Sequence, residues 1–277
     1  MKIRTLRSAF TLLEVTIVIT ILGIVASLGS ELIAEVYHSY ILQRAEHRAA
    51  LKTELAATQI ANRLRYAIPG TVIRRVGKAG APEEITADMA HDPDEYTVLQ
   101  WVAYDGDGFE AFESEANRKP GWSGFCDVDA SSAHTIQTPG SNLALAGTII
   151  AKLSGSTKTI ADAALYFPQD PPVAYGISGA IGSETLTLDG NASKIAEHYK
   201  LAWSSYALVV ENGDLYLYYN FAPLPNAAIG TIRSLLLKNV STFKFQGAGR
   251  TVRFKICRDE NIGDEFNVTS CKEKAVF

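Results

Sequence analysis

SAFTLLEVTIVITILGIVASLGS, residues 8–30, holds a single charge, Glu14, in an otherwise uncharged and mostly apolar run. A run of about 20 apolar residues is long enough to cross a bilayer as a helix. Ahead of it, MKIRTLRSA (residues 1–9) carries Lys2, Arg4 and Arg7 and no acid. Basic flanks stay on the cytoplasmic side, so the remainder of the chain is expected to be exported. An ordinary secretory signal has a shorter apolar core, about 7–15 residues, followed by a small-residue cut site. Here the basic segment runs directly into Ala9-Phe10-Thr11, and Glu14 sits in the first turns of the apolar helix. A carboxylate in hydrocarbon costs a few kcal/mol, which makes Glu14 a functional residue by default.

Ser8-Ala9-Phe10-Thr11-Leu12-Leu13-Glu14 resembles the leader junction of type IV prepilins and pseudopilins. That family has a short basic leader, a small residue before the cut, then Phe, Thr, Leu and a Glu at the fifth mature position. The resemblance implies cleavage by a prepilin peptidase between Ala9 and Phe10 and N-methylation of Phe10. It also implies that Glu14 meets the new amine of a neighbouring subunit during assembly. The usual residue before the cut is Gly, and this chain has Ala9 there. Implied partners are prepilin peptidase, other pilin or pseudopilin subunits and an inner-membrane assembly platform. The implied location is a bacterial inner membrane, single-pass, with leader cytoplasmic and head periplasmic, then a filament.

Working outward, Glu31 to Ile68 contains neither Gly nor Pro and is rich in Ala, Leu, Glu, Arg and Gln. These are strong helix formers, and Pro69-Gly70 is a stop. One helix is therefore expected from Phe10 to Ile68, with Ile60, Leu64 and Ile68 on one face and Leu51 and Leu55 on one face. Major pilins commonly carry a kinking Pro where this chain has Glu31. That difference, with the large head, points to a minor pilin or pseudopilin.

Beyond Pro69 the pattern turns to strands. Ser204–Glu211 and Leu215–Phe221 flank Asn212-Gly213-Asp214, the strongest short-range hairpin signal. Val240–Gln246 and Thr251–Arg258, joined by Gly247-Ala248-Gly249, alternate and read as a second hairpin. Tyr96–Tyr104 reads as a strand, and Leu143–Leu153 as a weaker one. The expected fold is α+β: a long N-terminal membrane-spanning helix packed on a C-terminal antiparallel sheet. The expected organisation is a leader at 1–9, a membrane or filament-core helix at 10–30, its amphipathic continuation at 31–68 and a head at 69–277. A loop-rich insertion occupies about 70–200 of that head.

The remaining chemistry is sparse. The formal net charge of −4 gives no basic footprint for nucleic acid. If the C-terminal part is exported, Cys257 and Cys271 can form a disulfide; the other reading is two buried free thiols. Cys126 is left over. Asp105-Gly106-Asp107-Gly108 has the look of a calcium loop, but Phe109 stands where the next ligand belongs, so Asp105 and Asp107 read equally as a polar turn. Asp259, Glu260, Asp264 and Glu265 form a second acidic cluster, with calcium or a solvated face as its two readings. Trp122 lies at a Gly/Pro-rich loop, either exposed or buried. No HExxH or GxSxG is present, and the five His are scattered. The chain is thus expected to be no enzyme and to need no cofactor, calcium excepted. Its function is expected to be that of a structural subunit of a type II secretion pseudopilus or type IV pilus. The alternative is a signal-anchored periplasmic binding module that does not polymerise.

Overall fold

The computed structural model describes residues 11–85, 96–248, 250–262 and 266–276. Ala9 and Phe10 of the leader junction, Gly249 of the second hairpin turn, and Asp264 and Glu265 of the acidic cluster lie outside the described residues.

Helix α1 (Leu12–Leu64) is a single rod of 53 residues, about 80 Å long. Thr11 caps it, its hydroxyl accepting from the Glu14 N–H at 3.3 Å. The helix ends before the expected Ile68, because the strand Val98–Ala103 captures the chain: the Ile68 N–H donates to the Val102 carbonyl (2.9 Å) and the Tyr104 N–H to that of Tyr66 (2.9 Å). Pro69 also disfavours helix at the residue before it, and Gly70 turns the chain at φ +80°.

The buried face of α1 is made chiefly of small residues: Ala45, Ala49, Thr53, Ala56 and Ala57, followed by Ile60 and Leu64. Steps of three, four and seven place them along one side. Small side chains let the helix backbone lie close to the strands Thr251–Ile262 and Phe266–Val276. Leu51 and Leu55, one face in the sequence reading, point outward at 57% and 60% exposure.

Against α1 lies a six-stranded antiparallel sheet in the order Arg233–Leu237, Asp214–Phe221, Ser204–Glu211, Val98–Ala103, Ile73–Arg75, Glu83–Glu84. A three-stranded C-terminal meander, Val240–Ala248, Thr251–Ile262 and Phe266–Val276, completes the body. Both expected hairpins form. Asn212 (φ 52°) and Gly213 (φ 79°) both take the left-handed conformation that a two-residue type I′ turn requires. Between helix and sheets sits a core containing Ile60, Leu64, Leu99, Trp101, Leu208, Leu217, Phe254 and Ile256.

The region expected as a loop-rich insertion divides in two. The strands Ile73–Arg75, Glu83–Glu84 and Val98–Ala103 belong to the main sheet. The chain then leaves that sheet at Ala103 and returns at Ser204 as its antiparallel neighbour, paired with Ala103 itself. The stretch between builds its own five-stranded sheet, in the order Lys200–Ala202, Ala164–Tyr166, Tyr175–Ile181, Thr185–Leu188, Thr135–Gln137. It also has its own core, around Ile136, Ile150, Leu165, Ile177 and Leu186. Leu143–Leu153, read from sequence as a strand, is a helix. Asn142 caps it by accepting from the Leu145 N–H, and Leu143, Ala146 and Ile150 are buried at helical rather than alternating spacing.

Candidate functional site

The apolar half of α1 is fully uncovered. From Leu12 to Tyr40, Leu, Ile, Val and Tyr side chains are exposed all around the rod, Leu12 at 86% and Ile33 at 72%. This is the one helix among the described residues that is long and apolar enough to cross a membrane. A helix apolar on every side needs lipid or other helices around it. Three of its hydroxyls are spent internally: Thr16 Oγ1 donates to the Leu13 carbonyl (2.8 Å), Thr20 Oγ1 to that of Thr16 (2.7 Å) and Ser30 Oγ to that of Ser27 (2.8 Å). Such back-bonding satisfies those three groups within hydrocarbon. Glu14 is of another kind. It stands exposed in the first turn as the sole charge on this surface up to Ser30.

At the other end, α1 is locked to the head by charge as well as packing. Glu54 accepts from Lys274 Nζ (2.7 Å) and faces Lys272 Nζ at 3.5 Å. The Lys274 hydrogen bond, ahead of other effects, holds the Glu54 carboxyl below its usual range. Arg48 reaches Glu260 at 3.8 Å, and Glu260 also pairs with the buried Arg258. Sequence spacing gave no sign of these contacts, which join residues roughly 200 positions apart in the chain.

Cys257 and Cys271 are disulfide-bonded at directly opposed positions of the two strands that carry α1. Cross-linking residues 14 apart restricts the unfolded chain by about 3 kcal/mol in the chain-entropy account. Replacing both by Ser is expected to lower unfolding free energy by about that amount, measured as a drop in the urea midpoint, with a steeper slope because the unfolded chain is released. Cys126 is a buried free thiol, and burial pushes its pKa up.

Asp105, Asp259 and Glu260 of the two acidic clusters make ordinary structural contacts. Asp105 is buried and caps the short helix Gly106–Glu110, its Oδ1 accepting from the Gly108 N–H at 3.1 Å. Burial raises its pKa, while Asp107 is exposed. Asp259 accepts from Ser241 and Thr269, and Glu260 is held by its two arginines. Among the described residues no group of three or more His, Cys, Asp or Glu is placed to hold a metal ion. Trp122 is buried, its indole N–H donating to the Asp105 carbonyl at 2.8 Å.

Residues 4–30 match the family model of the prokaryotic N-terminal methylation motif. No curated protein and no solved structure matches the chain. The motif takes in the basic leader from Arg4, then Ala9, Phe10 and Glu14, and the structure continues it as a long apolar helix ahead of antiparallel sheets. In motif and in architecture, this chain is type IV pilin-like.

Proposed function

We propose that the chain is a structural subunit, and a minor one, of a type II secretion pseudopilus or a type IV pilus. Prepilin peptidase cuts between Ala9 and Phe10, Phe10 is methylated, and residues 10–30 move from the inner membrane into the filament core. Residues 31–68 continue the rod, and residues 69–277 form a periplasmic head. The observation that carries this reading is the placement of Glu14. It is the lone carboxylate before Glu31 on a helix whose apolar first half is exposed on every side and awaits lipid or like helices.

In an apolar bundle, a carboxylate and an amine are far better paired than apart. The amine freed at Phe10 by cleavage supplies that partner from the adjacent subunit. Subunits thereby add in fixed register at the inner-membrane platform. A head joined by a disulfide fits an oxidising compartment outside the cytoplasm. The minor role is supported by the unit inserted between Ala103 and Ser204, which adds bulk to the head. A bulky head is accommodated more easily at a tip than along a closely packed shaft. Glu31, where major subunits commonly have a kinking Pro, supports the same role. Quantitative mass spectrometry of sheared filaments tests it. The chain is expected in the fraction, far below the most abundant subunit; equal abundance would make it a shaft subunit.

A further inference from the structure

Asn191, Asn239 and Asn267 each stand two residues before a Ser or Thr. Asn-X-Ser/Thr, with X other than Pro, is the acceptor sequence for N-linked sugar in exported chains. In two of the three an acid also stands two residues ahead: Asp189-Gly190-Asn191-Ala192-Ser193 and Glu265-Phe266-Asn267-Val268-Thr269. At Asn239 that place is taken by Leu237. Acid, amide and hydroxyl spaced by two fall on one face of an extended segment. A transferase that holds the segment extended can therefore read all three side chains at once.

The structure separates the three positions. Asn239 sits in a tight turn at φ 55°, its N–H donating to Asp214 Oδ1 at 3.0 Å, and the Ser241 hydroxyl is spent on Asp259. Asn267 is opposite Asn261 in the ladder that the Cys257–Cys271 disulfide staples, and the Thr269 hydroxyl donates to Asp259 at 2.8 Å. Presenting either Asn in extended form would break a turn or a ladder.

Asn191 is different. It lies in the irregular connection 189–199 of the inserted unit, between the strands Thr185–Leu188 and Lys200–Ala202. Asp189, Asn191 and Ser193 are all exposed. Among the described residues the Asn191 carboxamide and N–H make no hydrogen bond, and Asp189 makes no ion pair. Few contacts hold the five residues down. The Asp189 N–H donates to the Gly176 carbonyl (2.9 Å) and the Ala192 N–H to that of Ala133 (2.7 Å). His134 Nδ1 lies 3.2 Å from the Gly190 carbonyl, and the Ser193 and Tyr175 hydroxyls lie 2.9 Å apart. Each such bond is worth about 0.5–1.5 kcal/mol net, so the segment can be lifted without unfolding a strand.

We propose that Asn191 is an N-glycosylation site. The donor is a saccharide carried on a lipid pyrophosphate, and a membrane-bound transferase joins the two. The Asn191 carboxamide nitrogen attacks the anomeric carbon of the saccharide. The C–N bond forms, the anomeric C–O bond breaks, one amide proton passes to a base of the transferase and the lipid pyrophosphate leaves. Asp189 offers a guanidinium of the transferase a bidentate partner, and the Ser193 hydroxyl can both donate and accept. The bulky, hydrophilic product keeps this face of the inserted unit in water.

The inference rests on export of the head and not on polymerisation. Its test is mass spectrometry of protein purified from its native membrane and digested without reduction. The peptide holding Asn191 is expected to carry a glycan, those holding Asn239 and Asn267 to be bare, and Cys257 and Cys271 to be joined. Asn191→Gln and Ser193→Ala, both at exposed side chains, are each expected to lose the glycan, and Ser193→Thr to keep it. A bare Asn191 in chains whose two cysteines are joined overturns the proposal alone, as does a glycan that persists in Ser193→Ala. A bare Asn191 with both thiols free overturns export of the head, and the proposal falls with it.

Discussion

A Glu14→Leu variant is expected to insert in the membrane, be cut after Ala9 and then fail to enter filaments. Insertion should not suffer, because an ionised carboxylate costs about 2.5–3.5 kcal/mol at the centre of a membrane helix and Leu is favourable there. Cleavage should proceed as well, since the replaced residue lies five positions beyond the cut. Assembly is different. Without the carboxylate, the Phe10 amine of the adjacent subunit is buried unpaired, and removing one partner of a buried ion pair costs about 3–5 kcal/mol. At 1.4 kcal/mol per tenfold, that lowers incorporation by a factor of about 100 or more. Immunoblots of membrane and sheared-filament fractions check it. Wild-type levels of the variant in filaments would show that Glu14 does not set assembly.

Trp101→Ala is expected to be the most damaging change in the head. Trp101 is fully buried in the central strand Val98–Ala103, beneath α1, and stacks on Tyr206 with ring centroids 6.0 Å apart. Truncating a core Trp to Ala costs about 3–5 kcal/mol, through lost transfer energy and the cavity left behind. That is a large share of the 5–15 kcal/mol that typically separates folded from unfolded chains. Trp101→Phe should cost less, because most of the ring volume is kept. In addition, the Trp101 indole N–H has no hydrogen-bond partner among the described residues, so Phe gives up packing volume but no hydrogen bond. Urea unfolding followed by far-UV circular dichroism separates the two variants. Equal loss in both would mean that the indole N–H contributes after all.

Different parts of this architecture were legible in the sequence to different degrees, for physical reasons. The rod announced itself because a bilayer demands about 20 apolar residues in succession, and Glu14 stood out against that background. The Asn212-Gly213 hairpin was equally plain, since two successive left-handed residues leave few alternatives to such a pair. Which face of α1 packs on the sheet was harder to read. The eye goes to Leu51 and Leu55, whereas close backbone approach uses Ala45, Ala49, Ala56 and Ala57. In Leu143–Leu153 the alternating opening Leu-Ala-Leu-Ala imitates a strand, and the cap at Asn142 decides for helix.

Long-range closure was the least visible. Ala103 pairs with Ser204 across about 100 intervening residues, and nothing local to either encodes that register. The strand Phe266–Val276 escaped notice because it is largely polar and is fixed by its ladder with Thr251–Ile262 and by Cys271. The hollow lined by Arg63 and Tyr66 of α1, Tyr104 and Tyr206 followed the same rule. Its walls come from three separate stretches of chain, so it exists only once the inserted unit has folded back to the main sheet.

The central claim is that this chain is a precursor whose new amine at Phe10 answers Glu14. Mass spectrometry of the N-terminal peptide, from protein purified out of its native membrane, addresses it most directly. The account predicts a peptide beginning at Phe10 and heavier by one methyl group. A peptide that begins at Met1, with Lys2, Arg4 and Arg7 still attached, would contradict it.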